Sequence, residues 1–445
     1  MATAASVKAK IQGLIDTANA TTGGSDTNLT SAVNALVDGY GQGGGGGGSI
    51  VPVAKKDVNF YDYEGTRLYS YTFAEAQALT ALPDLPEHEG LTAQEWNHTL
   101  EEIKSNNRPV DVGATYITDD GKTRYYITVN NEAETTITLR YNQSVAGGTT
   151  IDWGDGTTQT VSTANAITIS HTYASVGDYV IKLSVDDGCV VNLYGGSPYQ
   201  GLMDGKHQLK RLEIGNGVSK CSTYQAYSLS EIVIPNSVTT IYNNAFKACY
   251  SIKAIVLPKN ITINTEDKIF WHCYSLKKIV FPDKFLGTLY YGSFEHCSSL
   301  QEIVLPNNST YYSNMSALCK YCYALESAVL PNITKMNGNA FEECHNLQKV
   351  YIPDGLTSIG YREFYYCNSL SHIVIPNSVT EIGQQAFYFT GLGIVDFSAF
   401  DHIPTLGSQV FSTSSSLKIH VPSALYDEWK AASGWSEYAN YIVAV

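Results

Sequence analysis

The chain has 445 residues, 16% of them charged, with 32 tyrosines, 14 phenylalanines and a formal net charge of −14. That length predicts several domains, and the charge is uneven: residues 1–208 hold 12 Lys+Arg against 24 Asp+Glu, while residues 209–445 hold 16 against 18. No basic run exists to displace counterions from phosphates, which excludes a nucleic-acid partner, and no apolar stretch nears the roughly 18 residues of a membrane span, which excludes membrane insertion.

In residues 1–42, Val7, Ile11, Leu14 and Ala18 follow a 4-3-4 spacing, as do Leu29, Val33, Leu36 and Tyr40. This spacing predicts an N-terminal helical pair with an apolar seam. We read it as an attachment peg whose contact residues are Val7, Ile11, Leu14, Leu29, Val33 and Leu36. The seams are too short to set an oligomeric state, so a homo-oligomer such as a trimer stays open. Residues 43–49 contain Gly43 to Gly48 and read as a flexible hinge. The start, Met-Ala-Thr-Ala-Ala-Ser-Val-Lys, lacks the apolar core of a signal peptide. The expectation is therefore a chain made in a reducing cytoplasm, with its nine cysteines as free thiols.

Residues 50–111 read as a small mixed α/β module. Val58 to Gly65 suggests a strand entering a turn, and Thr72 to Leu79 a helix. Thr92 to Lys104 is expected to be a second helix, capped by Thr92 with Glu95 in the capping-box position. His88, Glu89 and His98 do not form H-E-x-x-H, so a zinc protease fails on spacing. Residues 112–190 look all-β, with Thr115 to Val129 expected as a hairpin about Asp119-Asp120-Gly121. Three segments follow: Ile151-Asp-Trp-Gly-Asp-Gly156, His171-Thr-Tyr173 and Gly177-Asp-Tyr-Val-Ile-Lys-Leu183. Together they resemble a polycystic kidney disease (PKD) domain, which implies a β-sandwich acting as a spacer or a carbohydrate-proximal module.

Residues 191–422 carry an internal repeat. Phe246/Cys249, Phe270/Cys273, Phe294/Cys297, Phe341/Cys344 and Phe364/Cys367 share one spacing, and an aliphatic strand ending in proline follows each pair. The strands run from Ile232-Val-Ile-Pro235 to Ile373-Val-Ile-Pro376 at intervals of 22 to 25 residues. That period is the signature of a leucine-rich-repeat solenoid of about ten turns. Phe and Cys are expected to stack inside, with Cys319 standing in a phenylalanine position and Cys322 in a cysteine position. Cys319-Lys-Tyr-Cys322 is therefore a piece of a buried ladder rather than a redox or zinc motif. His272 and His296 are read as exposed polar positions, with a metal pair as the alternative. Leu370 to Phe387 resembles the consensus of the bacterial surface antigen (BspA-like) repeat, a family whose members are commonly adhesins or ligand-binding surface proteins. Residues 423–445 read as a helical cap from Ser423 to about Ala432, with Leu425, Trp429 and Trp435 covering the last turn.

The expected fold is thus multidomain and mainly β: N-terminal helical pair, small α/β module, PKD-like β-sandwich, C-terminal leucine-rich-repeat solenoid and helical cap. No nucleophile elbow, dinucleotide loop, paired carboxylate or metal motif is present, so neither an enzyme nor a cofactor is expected. Two binding surfaces are. The middle residue of each strand should face outward, which gives a stripe of Val233, Val256, Val280, Val304, Val329, Tyr351 and Val374 on an open sheet face. The turn tyrosines Tyr290, Tyr291, Tyr311, Tyr312, Tyr365 and Tyr366 are the second candidate. Asp57 to Gly65 and Tyr116 to Arg124, with the helical head and polyglycine, resemble the front of structural proteins of phages and prophages of gut Firmicutes. That resemblance implies a virion fibre-like protein, fastened to other virion proteins through residues 1–42, whose solenoid binds a glycan or protein on a bacterial or mucosal surface. The alternatives are a bacterial cell-surface adhesin and a purely structural capsid or tail decoration.

Overall fold

The computed structural model describes residues 56–445, apart from 195–200, 205, 243, 265–267, 284, 288 and 308–314. The expected peg and hinge, with Val7, Ile11, Leu14, Leu29, Val33 and Leu36, lie outside the described residues.

The first module is a four-stranded sheet in the order β2-β1-β4-β3. Its strands are β1 (Val58–Tyr61), β2 (Arg67–Tyr71), β3 (Leu91–Trp96) and β4 (Val110–Thr118). Helix α1, Phe73–Ala78, starts where expected, with Thr72 and Glu75 forming a capping box. The expected helix over Thr92–Lys104 is corrected: Leu91–Trp96 is a strand beside β4, and helix α2 spans only Leu100–Ser105. Its capping box is Thr99 with Glu102 rather than Thr92 with Glu95. Pairing with β4 overrides the helical propensity of the segment.

The expected hairpin about Asp119–Gly121 is also absent. Both neighbour positions of β4 are taken by β1 and β3, so the chain turns into a different sheet at β5, Thr123–Val129. Strand β4 thereby crosses the expected 111/112 boundary and belongs to the first module.

From β5 on, two sheets pack face to face. One runs β8 (Thr158–Thr160), β7 (Thr149–Asp152), β10 (Gly177–Val185) and β5; the other contains β6 (Thr136–Gln143) and β9 (Asn165–Thr172). Both continue directly into the solenoid. Strand β13 (Leu209–Glu213) pairs antiparallel with β5, and β11 (Val191–Leu193) pairs antiparallel with β6. The sandwich is therefore no separate spacer. It caps the N-terminal end of the solenoid, and one apolar core runs unbroken from Tyr125 to Ile442.

Each solenoid turn contributes to two columns. The front column holds the sequence-read strands: β13, then 231–233, 254–256, 278–280, 302–304, 327–329, 349–351, 372–374, 394–396 and 418–421. The rear column begins at β14, Val218–Cys221, and continues through Thr240–Tyr242, Thr262–Asn264 and Leu286–Gly287. It resumes at Ser358–Ile359, Glu381–Ile382 and Thr405–Leu406.

Phenylalanines stack between turns, with Phe246–Phe270, Phe270–Phe294, Phe341–Phe364 and Phe364–Phe387 centroids 4.9 to 5.6 Å apart. The cysteine ladder adds a polar tie. Cys273 Sγ donates to the carbonyl of Phe246 at 3.0 Å, Cys297 to Phe270 at 3.2 Å and Cys322 to Phe294 at 3.1 Å. Cys344 donates to Cys319 at 3.1 Å, which places Cys319 in the phenylalanine position as read from its register. A cysteine here is small enough for the core and satisfies the carbonyl of the preceding turn.

The C-terminal cap differs in detail from the expected single helix. A 3-10 turn at Ser423–Leu425 leads into helix α3, Tyr426–Ala431, with a second 3-10 turn at Trp435–Tyr438. Ile442–Ala444 then adds a further parallel strand beside Lys418–Val421. Trp429 and Trp435 are fully buried and close the core.

Candidate functional site

The first candidate surface is occupied by the protein itself. Val233, Val256, Val280, Val304 and Val329 are all buried. Val233 packs in the core of the first module with Val58, Phe60 and Val112, and Val256 and Val280 pack against Tyr61. The reading of these five valines as an open sheet face is corrected: Val233, Val256 and Val280 seat the first module, and Val304 and Val329 are buried beside it. Where the module stops the stripe emerges, with Tyr351 half-buried and Val374 55% exposed.

Polar contacts hold the two parts together. Asn97 Nδ2 donates to Leu257 O at 2.9 Å, and Arg108 donates to Leu305 O at 2.6 Å and Leu330 O at 3.2 Å. Tyr61 donates to Glu302 at 2.5 Å, and Lys278 pairs with both Asp111 and Glu302. Gly113 permits the close approach, because a Cβ there would lie 2.4 Å from Val256 Cγ1.

The second candidate surface is free. Of its members, Tyr291 is exposed and Tyr290, Tyr365 and Tyr366 are half-buried; Tyr311 and Tyr312 lie outside the described residues. Tyr365 and Tyr366 meet edge to face at 4.7 Å, and Tyr366 stacks on Phe389 at 4.6 Å.

The structure reveals a longer row beside them. Ring centroids run from His207 to Tyr227 (5.0 Å), Tyr250 (4.7 Å) and Tyr274 (5.2 Å). The row continues through His272 (5.2 Å), His296 (4.9 Å) and Tyr321 (4.6 Å). Tyr323 (6.2 Å) and His345 (5.3 Å) end it.

Local chain geometry explains this ridge. The residue before each ladder cysteine adopts a left-handed backbone: φ is 62° at His272, 65° at His296, 63° at Tyr321 and 60° at Tyr366. The chain turns sharply there, so the thiol points inward while its two neighbours flank it on the surface. Repetition at one strand spacing, about 4.8 Å, brings equivalent rings into contact. His272 and His296 are thus half-buried rungs rather than exposed polar positions. Burial, followed by the neighbouring His296, lowers the pKa of His272. Among the described residues no group of three or more metal-ligating side chains exists. The spacing signal was present in sequence, since Tyr250, Tyr274 and Tyr323 each follow a ladder cysteine. That Tyr227 and His207 extend the row was visible only in space.

The ring faces of Tyr227, Tyr250 and Tyr274 cover one another, so the ridge presents edges and hydroxyl groups. Aromatic edges carry the positive part of the ring quadrupole and suit acceptor-rich partners. Lys206, Lys268, Lys320 and Arg362 lie 4.4 to 5.6 Å from rings of this side of the molecule. In the sandwich, Asp152 accepts from Gly154 N at 3.0 Å, and Asp155 accepts from Thr157 N and pairs with His171 at 2.6 Å. Both carboxylates are committed to shaping their turn.

The fold defines a repeat protein, with a β-solenoid of leucine-rich-repeat type. Its residues 217–317 and 313–427 match the BspA type leucine rich repeat region in six copies, just under half of the chain. No curated protein sequence matches the chain. Among solved structures, a leucine-rich repeat protein from Bacteroides ovatus is similar at 22% identity, covering 52% of this chain and 76% of that one, with a TM-score of 0.25. The Treponema protein described as T. pallidum leucine rich repeat protein shows 23% identity over 41% of this chain and 82% of its own, with a TM-score of 0.29. The pneumococcal vaccine antigen PcpA shows 16% identity over 53% and 66%, with a TM-score of 0.31. No helix among the described residues is long and apolar enough to cross a membrane.

Proposed function

We propose that the protein is a bacterial cell-surface adhesion or recognition protein that binds a partner through the aromatic ridge of its solenoid. The observation carrying this reading is the continuous row from His207 to His345, in which Tyr274 and Tyr323 are each 40% exposed. Rings held by their neighbours lose little freedom on binding, so edges and hydroxyls are presented at low entropic cost. The BspA-type match supports surface recognition. The virion-fibre expectation rests on the front-half resemblance alone, so the surface reading is carried forward. Within it, residues 123–190 serve as a PKD-like module that anchors the solenoid end, and residues 1–42 fasten the chain to its carrier. The role is binding rather than catalysis.

The test is adhesion of the full chain to bacterial cells and to mucin-coated surfaces, with Tyr250→Ala, Tyr274→Ala and Tyr323→Ala combined. The expected result is a loss of about tenfold or more, since aromatic side chains buried on binding carry much of an interface's energy. Unchanged adhesion by a folded triple variant overturns the reading.

A further inference from the structure

Docking of the first module leaves a groove of about 1090 Å³ between it and the solenoid. Glu64, Thr66 and Arg67 of the module line one side. Along the other side run Lys253, Lys277, Gln301, Glu326 and Gln348. Each of these five precedes or opens the approach to a front-column strand, so they recur once per turn, at about 4.8 Å. All five are exposed, and their side chains make no hydrogen bond or ion pair among the described residues. Tyr351 stands at the far end with Lys349 Nζ 4.4 Å from its ring centroid.

We infer that this groove binds an extended acidic oligosaccharide, laid along the solenoid axis with about one sugar per turn. The inference deepens the recognition role proposed above but does not depend on the ridge. Six cationic side chains line the groove (Lys56, Arg67, Lys253, Lys277, Lys278 and Lys349) against the four carboxylates of Asp57, Glu64, Glu302 and Glu326, a local positive excess in a chain of net charge −14. Carboxylates of uronic acid type are matched by ammonium groups one turn apart. The amides of Gln301 and Gln348 both donate and accept, as sugar hydroxyls require. Tyr351 offers an apolar ring with a polar tip. A peptide fits less well: Ser327–Val329 in the groove floor is paired on both sides, by Glu302–Val304 and Lys349–Tyr351, and so offers no free edge for an added strand.

The test is calorimetric titration of the full chain with a galacturonate pentamer, its methyl ester, the galacturonate dimer and a pentaglutamate peptide. The pentamer is expected to bind, and the methyl ester and dimer to bind about tenfold more weakly or worse. Lys253→Ala with Lys277→Ala should weaken the pentamer by a similar factor without moving the melting temperature, because both side chains are exposed. Absence of pentamer binding, equal binding of pentaglutamate, or indifference to the lysine substitutions overturns the inference. The Tyr250/Tyr274/Tyr323 variant should keep its pentamer affinity. Loss of adhesion with retained pentamer binding therefore bears on the ridge alone, and the reverse result on the groove alone.

Discussion

Lys278 on the solenoid places its Nζ 2.5 Å from Oδ2 of Asp111 on the first module, and both side chains are buried. Burial alone would lower the lysine pKa; Asp111, Tyr61 and Glu302 outweigh it and hold the ammonium protonated well above its ordinary range. The cation is thus shared between module and solenoid. Removing Lys278 strands Asp111 in the interface and deprives Glu302 of its cation, a loss of about 3 kcal/mol or more. Removing Asp111 leaves Lys278 paired with Glu302 and should cost less. Asp111→Ala and Lys278→Ala should each lower the denaturant midpoint, and the double variant should cost less than the sum. Additive losses would show that the two side chains do not act as a pair.

Gly113 tests the same interface by shape rather than charge. A Cβ at this position meets Val256 Cγ1 at 2.4 Å and Val280 Cγ1 at 3.1 Å. Gly113→Ala should cost about 1–3 kcal/mol through overpacking and speed amide exchange along residues 254–257. Wild-type exchange in the variant would mean that the sheets separate without strain.

Glu363 sets one limb of the pH response. Burial raises its pKa from 4.5 to about 7, although the amides of Ala340, Gly338 and Gly360 favour the charged form. Between those values the folded chain holds a proton that the unfolded chain releases, so stability falls as pH rises, by on the order of 3 kcal/mol in full. His98 acts in the opposite sense, because burial lowers its pKa from 6.5 to about 4. There the unfolded chain takes the extra proton, and stability falls as pH drops through that window. The two slopes oppose each other between about pH 4.5 and 6.5. Glu363→Gln should remove the first slope and leave the second, so its melting temperature should climb more steeply with pH than that of the wild type. A wild-type-to-variant difference that stays constant with pH would sink this assignment.

The thiols offer a chemical check. All nine cysteines are free and buried, and burial pushes Cys221 up to about 12. Only the thiolate reacts. The native protein should therefore resist a thiol-titrating disulfide reagent, including at Cys319 and Cys322, and all nine thiols should react after denaturation. Rapid native labelling at the C-x-x-C pair would contradict the ladder.

Much of the back half was legible because a repeat states its own register. Phe246, Phe270 and Phe294 occupy one column, and the thiols of Cys273 and Cys297 fall where that column predicts. The rear strands went unread, although Val238 and Ile241, or Val379 and Ile382, carry their spacing: two or three residues are too few to show alternation. Leu91–Trp96 was misread because its partner, β4, is contributed by a later segment. The aromatic ridge was half visible, as tyrosines in turns, and became a row only when successive turns were stacked.

The sequence by itself determined the solenoid, its period, its inward phenylalanine and cysteine columns and the outward direction of the middle strand residue. These follow from contacts between a turn and its neighbours, which repetition writes into the chain. Tertiary structure decided what each outward residue meets. Val280 and Val374 have the same local context and the same orientation, yet one is fully buried and the other 55% exposed. The difference is the first module, which covers Val280 and stops short of Val374: a strand's alternation fixes the face a side chain takes, whereas burial depends on which distant segment packs over that face.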